Sequence, residues 1–203
     1  MTRLSLTLIL TLLVAACAVF KPTGPNSVGR EPTKQNSPES RYFLSLTPSS
    51  LGRYLSLSQL VIGEFEDRTY RAQYEVEIVD DRLTIVGLSP LGITLFTLIQ
   101  TGDIVTIDSS LKELSGFDPR YTLFDLYLSY WPPDVLARAL KRNGLTLDVD
   151  TEKYSRTVRD AEGNTVATVN YPRDRKYGGT TVIVHVNPPY RLRVSSLGGS
   201  KHP

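Results

Sequence analysis

The chain has 203 residues, of which 40% are hydrophobic and 22% charged, and its formal net charge at pH 7 is +2. This is an ordinary globular composition, and the length fits one domain with appendages. The small net charge and the lack of a dense basic stripe argue against nucleic acid as a partner. The single cysteine excludes an intrachain disulfide framework.

The N-terminal residues, MTRLSLTLILTLLVAACAVF, have the pattern of a cleaved export signal. Basic Arg3 precedes the apolar core Leu4–Val14, which is shorter than the roughly 20 residues of a membrane-spanning helix. Because the core ends in Val14-Ala15-Ala16-Cys17, residues 1–16 resemble a lipoprotein signal peptide with a lipobox. That resemblance implies cleavage after residue 16 and acylation of Cys17. A plain secretory signal with an incidental cysteine is the alternative.

Ala18 follows the cysteine that we expect to be acylated. In the sorting logic of such lipoproteins, an aspartate at this position retains the protein at the inner membrane. Ala18 therefore implies a lipid anchor in the outer membrane, facing the periplasm, provided that the host is Gram-negative.

Residues 17–41 are predicted to be the acylated cysteine and a disordered tether. Lys21–Ser40 contains four prolines and two glycines, and Val28 is its only aliphatic residue. Such a segment buries too little surface to fold, and about 20 flexible residues reach on the order of 25 Å. We expect the folded domain at 42–197 and a flexible tail at 198–203.

Strands dominate after a short helical or irregular stretch near Ser49–Leu55. The clearest is Thr69–Val79, where Tyr70, Ala72, Tyr74, Val76 and Ile78 alternate with polar residues, as in a strand with one wet face. The five predicted strands are Gln59–Phe65, Thr69–Val79, Arg82–Leu88, Ile93–Gln100 and Asp103–Ser109.

The turn between the third and fourth predicted strands has an unusual tip. In Ser89-Pro90-Leu91-Gly92, proline suits the second position of a β-turn and glycine the fourth. Leu91 therefore occupies the third position, where a polar residue is more typical. The leucine either folds back onto the core or stays exposed for a functional reason, and turn chemistry alone leaves both open.

Two helices are predicted after the fifth strand. Leu123, Leu126, Tyr127 and Tyr130 form a helical stripe, and Thr122 with Asp125 resembles a capping box. Pro132-Pro133 separates the first helix from the second, which we expect to end at Gly144.

Five more strands follow: Leu145–Asp150, Tyr154–Arg159, Thr165–Tyr171, Thr180–Asn187 and Tyr190–Ser195. The fold class is thus mainly β with inserted helices (α+β). We predict a strongly curved antiparallel sheet, or incomplete β-barrel, with the helices laid against one face. Several strands are apolar on both faces, which indicates either a covered second face or an apolar cavity between sheet and helices.

The residues that usually carry chemistry are sparse. His185 lies in a predicted strand and His202 in the predicted tail, and no zinc, nucleotide or nucleophile motif is present. The carboxylates of Glu64, Glu66 and Asp67, and of Asp80 and Asp81, fall at strand ends, where solvated turns are the simplest interpretation. We therefore predict no cofactor, no metal and no enzymatic step.

Together, the lipobox, the tether, the long strands, the Ser89–Gly92 turn and the helical pair around Tyr130-Trp131-Pro132-Pro133 resemble the LolB-like outer-membrane lipoproteins. The resemblance covers roughly residues 58–197. It implies the LolA/LolB-type fold, a half-barrel capped by helices, whose apolar interior takes the acyl chains of lipoproteins from a periplasmic carrier protein. It also implies an exposed leucine on the loop between the third and fourth strands that inserts cargo into the membrane, and Leu91, between Pro90 and Gly92, matches it.

The leading hypothesis is an acceptor of lipoproteins or of a related lipid, with Leu91, Leu88 and Ile93 acting at the membrane. LolB-like lipoproteins also occur beside biosynthetic clusters for aryl polyenes, so the cargo could be a different lipid. The predicted cavity lining is Val76, Ile78, Leu95, Phe96, Leu126, Tyr130 and Trp131. One alternative is a structural lipoprotein with an apolar partner interface. The other is a lipid-modifying enzyme, which would need buried carboxylates converging on His185.

Overall fold

Ten strands and two helices make up the folded part of the chain. The computed structural model describes residues 42–109, 118–173 and 179–202, all within one compact unit, Lys34–Pro203. A 3-10 helix, Pro48–Leu51, comes first. The strands are β1 (Tyr54–Phe65), β2 (Arg68–Val79), β3 (Arg82–Leu88), β4 (Thr94–Thr101), β5 (Ile104–Ser109), β6 (Thr146–Asp150), β7 (Ser155–Arg159), β8 (Thr165–Asn170), β9 (Thr180–Val186) and β10 (Pro189–His202). The helices are α1 (Arg120–Tyr130) and α2 (Pro133–Arg142).

All ten strands belong to one antiparallel sheet in the order β5-β4-β3-β2-β1-β10-β9-β8-β7-β6. The sheet is curved but unclosed, because β5 and β6 are its two edges and are joined in the chain by the helices. The predicted fold class, with two helices after the fifth strand, is therefore confirmed. Because the strands are antiparallel, successive turns alternate between the two ends of the sheet. The β1–β2, β3–β4 and β9–β10 turns lie at the same end, which is here called the hairpin end.

The long hairpin of β1 and β2 forms the middle of the sheet, and the size of the side chains on its inward face changes along its length. At the end opposite the hairpin end, the cross-strand pairs Leu55–Ile78 and Leu57–Val76 are buried in the core. Glu77, on the other face, is exposed. The alternation predicted for this strand is thus present, and the core lies between the inward face of the sheet and α1.

Helix α1 is buried on all sides rather than along one stripe. Every residue from Thr122 to Leu128 is buried, because the segment Tyr42–Leu51 packs against the helix in addition to the sheet. The Tyr42 ring packs edge-on against Phe124, with 5.2 Å between ring centroids. The predicted capping box is wrong, since α1 begins at Arg120 without a side-chain cap, and Asp125 lies buried in the middle of the helix.

Strand β10 is longer than predicted. It pairs with β1 as far as the Tyr54↔His202 position, with a register shift at Ser58/Gln59. Residues 198–202, predicted as part of a flexible tail, are therefore strand, because they satisfy backbone groups of β1 that would otherwise lack a ladder partner on that side. Pro203 and residues 1–41, including Cys17 and the predicted signal and tether, lie outside the described residues.

Within the described ranges, neither helix is long and apolar enough to span a membrane.

Gly87 on β3 leaves room for the buried ring of Phe96 on β4. A Cβ at residue 87 would lie 2.3 Å from Cε1 of that ring, and the ring is also held edge-on by Tyr74. We expect Gly87→Ala to destabilise the fold by about 1–3 kcal/mol, because the ring must leave its position in a packed wall. Urea unfolding would measure this, with Gly198→Ala as the control, since no heavy atom lies within 4 Å of its added Cβ. Equal stability of the two variants would contradict the close contact.

Candidate functional site

Two mainly apolar cavities lie between the sheet and α1. Cavity A, at the hairpin end, has a volume of about 290 Å³. Cavity B, nearer the middle of the sheet, has a volume of about 270 Å³. Each is close to the lower bound of roughly 300 Å³ for small-molecule sites. The two cavities share a partition made of Val61, Tyr74, Thr122, Asp125 and Leu192.

Cavity A exists because small residues replace large ones on the inward face of the β1–β2 hairpin. Where the packed end carries Leu55–Ile78 and Leu57–Val76, the hairpin end carries the pairs Val61–Ala72 and Gly63–Tyr70. Alanine and glycine contribute too little volume to fill the space between the sheet and α1. The aromatic side chains of Tyr70 and Phe65 stand at the hairpin end of this space.

The structure brings most of the predicted lining residues to these two cavities. Val76, Leu126 and Tyr130 line cavity B, and Leu95 and Phe96 line cavity A. Ile78 and Trp131 lie instead in the packed core, where Trp131 is fully buried and its Nε1 donates a hydrogen bond to Ser50 Oγ at 2.8 Å. Ile78 lies beyond Val76 towards the packed end of β2, and the Trp131 ring packs edge-on against Tyr127, with 4.6 Å between ring centroids.

Asp125 is the residue in this region that the sequence reasoning missed. Its carboxylate is 5% exposed and lines both cavities. His185 Nε2 lies 2.7 Å from Asp125 Oδ1, and the hydroxyl of Tyr190 donates to both carboxylate oxygens at 3.2 and 3.1 Å. The available signal was a carboxylate inside an otherwise apolar helical segment. The capping-box interpretation assigned Asp125 to the start of the helix instead of to its buried middle.

His185 is enclosed by Asp125 and by aromatic rings. The ring is buried and stacked on Tyr190, with 4.1 Å between ring centroids, and its Nδ1 has no hydrogen-bond partner among the described groups. With a proton on Nε2, the ring donates a hydrogen bond to Asp125 Oδ1. Burial and the nearby charge of Asp125 raise the pKa of the Tyr190 phenol well above its ordinary value.

The Asp125–His185 pair does not form a nucleophile-activating arrangement in the part of the chain that the structure describes. Such an arrangement needs a hydroxyl or thiol at the second imidazole nitrogen, and Nδ1 has none. No group of three or more His, Cys, Asp or Glu side chains among the described residues is placed to hold a metal ion. Glu66, Asp67, Asp80 and Asp81 are exposed at the β1–β2 and β2–β3 turns.

The turn between β3 and β4 forms as its sequence predicts. The Gly92 N–H donates to the Ser89 carbonyl at 2.9 Å, and Gly92 has a φ of 77°, in the left-handed region. The Ser89 Oγ accepts from the N–H groups of Leu91 and Ile93 at 3.3 and 3.1 Å. This bonding fixes the backbone with the Leu91 side chain 87% exposed, so the leucine does not fold back onto the core.

The β3–β4 hairpin that bears the exposed tip also contributes to the wall of cavity A. Ser89 and Leu95, which flank the turn, line cavity A, while Ile93 beside Leu91 is 63% exposed and Leu88 is half-buried. Leaving a leucine in water forgoes about 1.5–3 kcal/mol of burial. An apolar tip therefore projects into solvent directly beyond an apolar cavity.

Tyr74, in the partition, gives this region a measurable pH dependence. Burial is the main cause that raises the pKa of its phenol from 10.0 to about 12. A hydrogen bond with Thr122 lowers the pKa by less than burial raises it, and the Asp125 charge adds a further, smaller increase. At pH values between 10.0 and about 12, the Tyr74 phenol of the unfolded chain releases a proton that the folded chain keeps. Stability is therefore full below about pH 10 and falls as the pH rises towards about 12.

We expect Tyr74→Phe to make this alkaline loss of stability less steep, as measured by urea midpoints from about pH 9 to about pH 11. Tyr154→Phe is the control, because Tyr154 is exposed at the β6–β7 turn. A slope that Tyr74→Phe leaves unchanged would argue against a buried phenol in the partition.

Two solved structures are similar: a putative outer membrane lipoprotein-sorting protein domain from Vibrio parahaemolyticus, and a LolA superfamily protein from Nitrosomonas europaea. The first has a TM-score of 0.49 at 9% identity and covers 73% of this chain and 85% of its own. The second has a TM-score of 0.44 at 9% identity and covers 79% of this chain and 92% of its own. The likeness to both concerns the fold alone.

A search of curated proteins gives no significant match. The family model described as "Protein of unknown function (DUF3261)" matches residues 56–198, from the third residue of β1 to a point within β10. Since this match covers more than half of the sequence, the chain belongs to the DUF3261 family.

Proposed function

We propose that this protein binds acyl chains in its apolar cavities and acts as an acceptor and inserter of lipoproteins, or of a related lipid, at the outer membrane. The observation that carries the proposal is that the β3–β4 hairpin, which bears the exposed Leu91 tip, also forms part of the wall of cavity A. Cavity A would hold the apolar cargo, and the neighbouring Leu91 tip would offer an apolar contact to a membrane.

The cavity walls support an apolar ligand with few polar anchors. Cavity A is enclosed mainly by aliphatic and aromatic side chains, including Val61, Leu95, Phe96 and Leu192. Its charged side chains, apart from Asp125, are Glu64 and Arg71, and Glu64 is already paired with Arg193 at 2.8 Å. Hydrocarbon tails suit such walls, since burial of apolar surface favours binding by about 25 cal/mol per Å².

The tip supports contact with lipid rather than with water. A side chain on a rigid β-turn inserts into a bilayer without a conformational change, and it recovers there the burial that it forgoes in solution. The proposed lipid anchor on Cys17 and the tether at 17–41 would hold the domain near the outer membrane while leaving it free to reorient. The donor would be a periplasmic carrier protein, as the resemblance implies.

Native mass spectrometry of the protein purified from envelope extracts tests the first half of the proposal. We expect adducts of acyl-bearing species, which disappear when the protein is delipidated in detergent and return when a lipoprotein or a synthetic lipopeptide is added. Absence of any adduct under both conditions would contradict an acyl-binding cavity.

The alternative of an interaction lipoprotein has one observation in its favour. The edge strand β5 exposes Ile104 and Ile107, with exposed fractions of 62% and 37%. Edge strands are sites where other chains add to a sheet. Loss of partner capture on Ile104→Glu, with acyl binding absent, would favour this alternative.

A further inference from the structure

Asp125 is the only charged side chain that lines both cavities among the residues that the structure describes. It reaches the partition from the middle of α1, and its two hydrogen-bond donors, His185 on β9 and Tyr190 on β10, belong to the sheet. No lysine or arginine of the described ranges forms an ion pair with it. A carboxylate with two oxygens accepts about four hydrogen bonds, so acceptor capacity remains towards the cavities.

The negative charge of Asp125 acts strongly here because its surroundings are apolar. The carboxylate is held by hydrogen bonds with His185 and Tyr190, and no lysine or arginine of the described ranges lies in an ion pair with it. Interactions between charges are several-fold stronger in such an environment than in water. A second anion at the partition would be repelled, whereas a hydrogen-bond donor would be bound.

We propose that Asp125 selects the head of the cargo: an acyl chain that brings an amide N–H or a hydroxyl to the partition is bound, and a chain that ends in a free carboxylate is rejected. This inference rests on the proposed function. It names the cargo class as amide-linked or hydroxylated acyl chains, and it makes Asp125 a specificity-determining residue in both cavities.

Two ligands of equal chain length test the inference on the unaltered protein. Dodecanamide and dodecanoate would compete with an apolar, environment-sensitive dye at about pH 8, where a carboxylic acid is ionised. We expect the amide to compete at least about tenfold more strongly than the carboxylate. Equal competition by the two ligands would overturn the inference. This result is expected if the head group of the ligand stays beside Arg71 in cavity A and does not reach Asp125.

Asp125→Asn then tests whether this side chain causes the preference. Asparagine keeps an oxygen that accepts from His185 Nε2 but removes the charge, so the amide-to-carboxylate ratio should fall to within about twofold of unity. Glu77→Gln is the matched control, because it removes the same charge from a residue that is exposed on the other face of the sheet and lines neither cavity. A ratio that is unchanged in Asp125→Asn would overturn the assignment to Asp125.

The failures of the two proposals are distinguishable. If neither ligand displaces the dye and no acyl adduct is found, the acyl-binding function itself fails. If both ligands bind alike, the function stands and only the selection by Asp125 fails. Should Asp125→Asn not fold, the comparison of the two ligands on the unaltered protein still decides the inference.

Discussion

Leu91→Glu is expected to abolish delivery of cargo to a membrane while leaving cargo binding intact. The side chain is 87% exposed and lines neither cavity, so the substitution should change stability by less than about 0.5 kcal/mol. A charge at the tip cannot enter hydrocarbon without a large penalty. We expect the rate of transfer of a fluorescent lipopeptide into liposomes to fall at least about tenfold. This corresponds to an increase of roughly 1.4 kcal/mol in the activation free energy of transfer.

Ile104→Glu is the control for this experiment. Ile104 is also an exposed aliphatic residue, but it follows the β4–β5 turn at the opposite end of the sheet. It introduces the same charge without altering the tip, and its transfer rate should match that of the unaltered protein. Equal transfer by Leu91→Glu and Ile104→Glu would remove Leu91 from the mechanism.

Ala72→Trp is expected to abolish cargo binding by filling cavity A. Ala72 is paired with Val61 on the inward face of the hairpin, and its small side chain is one reason that the cavity exists. An indole in this position would occupy the space that we assign to a hydrocarbon chain. We expect the affinity for a lipopeptide to fall at least about tenfold in a dye-displacement assay, with a stability change of no more than about 1–3 kcal/mol.

Glu77→Trp is the matched control, since Glu77 is on the same strand but exposed on the other face. It adds an indole without touching either cavity, so its affinity should equal that of the unaltered protein. Ala72→Trp and Leu91→Glu together separate the two halves of the proposed function. The first should lose binding and therefore delivery, and the second should lose delivery alone. Full affinity in Ala72→Trp would place the ligand outside cavity A.

The sequence by itself determined most of the local architecture. Strict alternation in Thr69–Val79 and the double proline at 132–133 predict strands and helices that the structure contains in the same order. These signals are local: a period of two or 3.6 residues and the φ requirements of proline and glycine act within a few residues. The turn at Ser89–Gly92 belongs to the same class, since its residues fix its geometry.

Tertiary structure decided what those local signals leave open. Whether Leu91 is exposed depends on whether another part of the chain packs over the tip, and whether Ile78 lines a cavity depends on which side chains fill the core around it. Asp125 looked like a capping residue because nothing in the sequence shows that β9 and β10 bring His185 and Tyr190 to it. Burial and pairing arise between strands that are distant in the chain, and one-dimensional periodicity contains no information on which distant side chains meet.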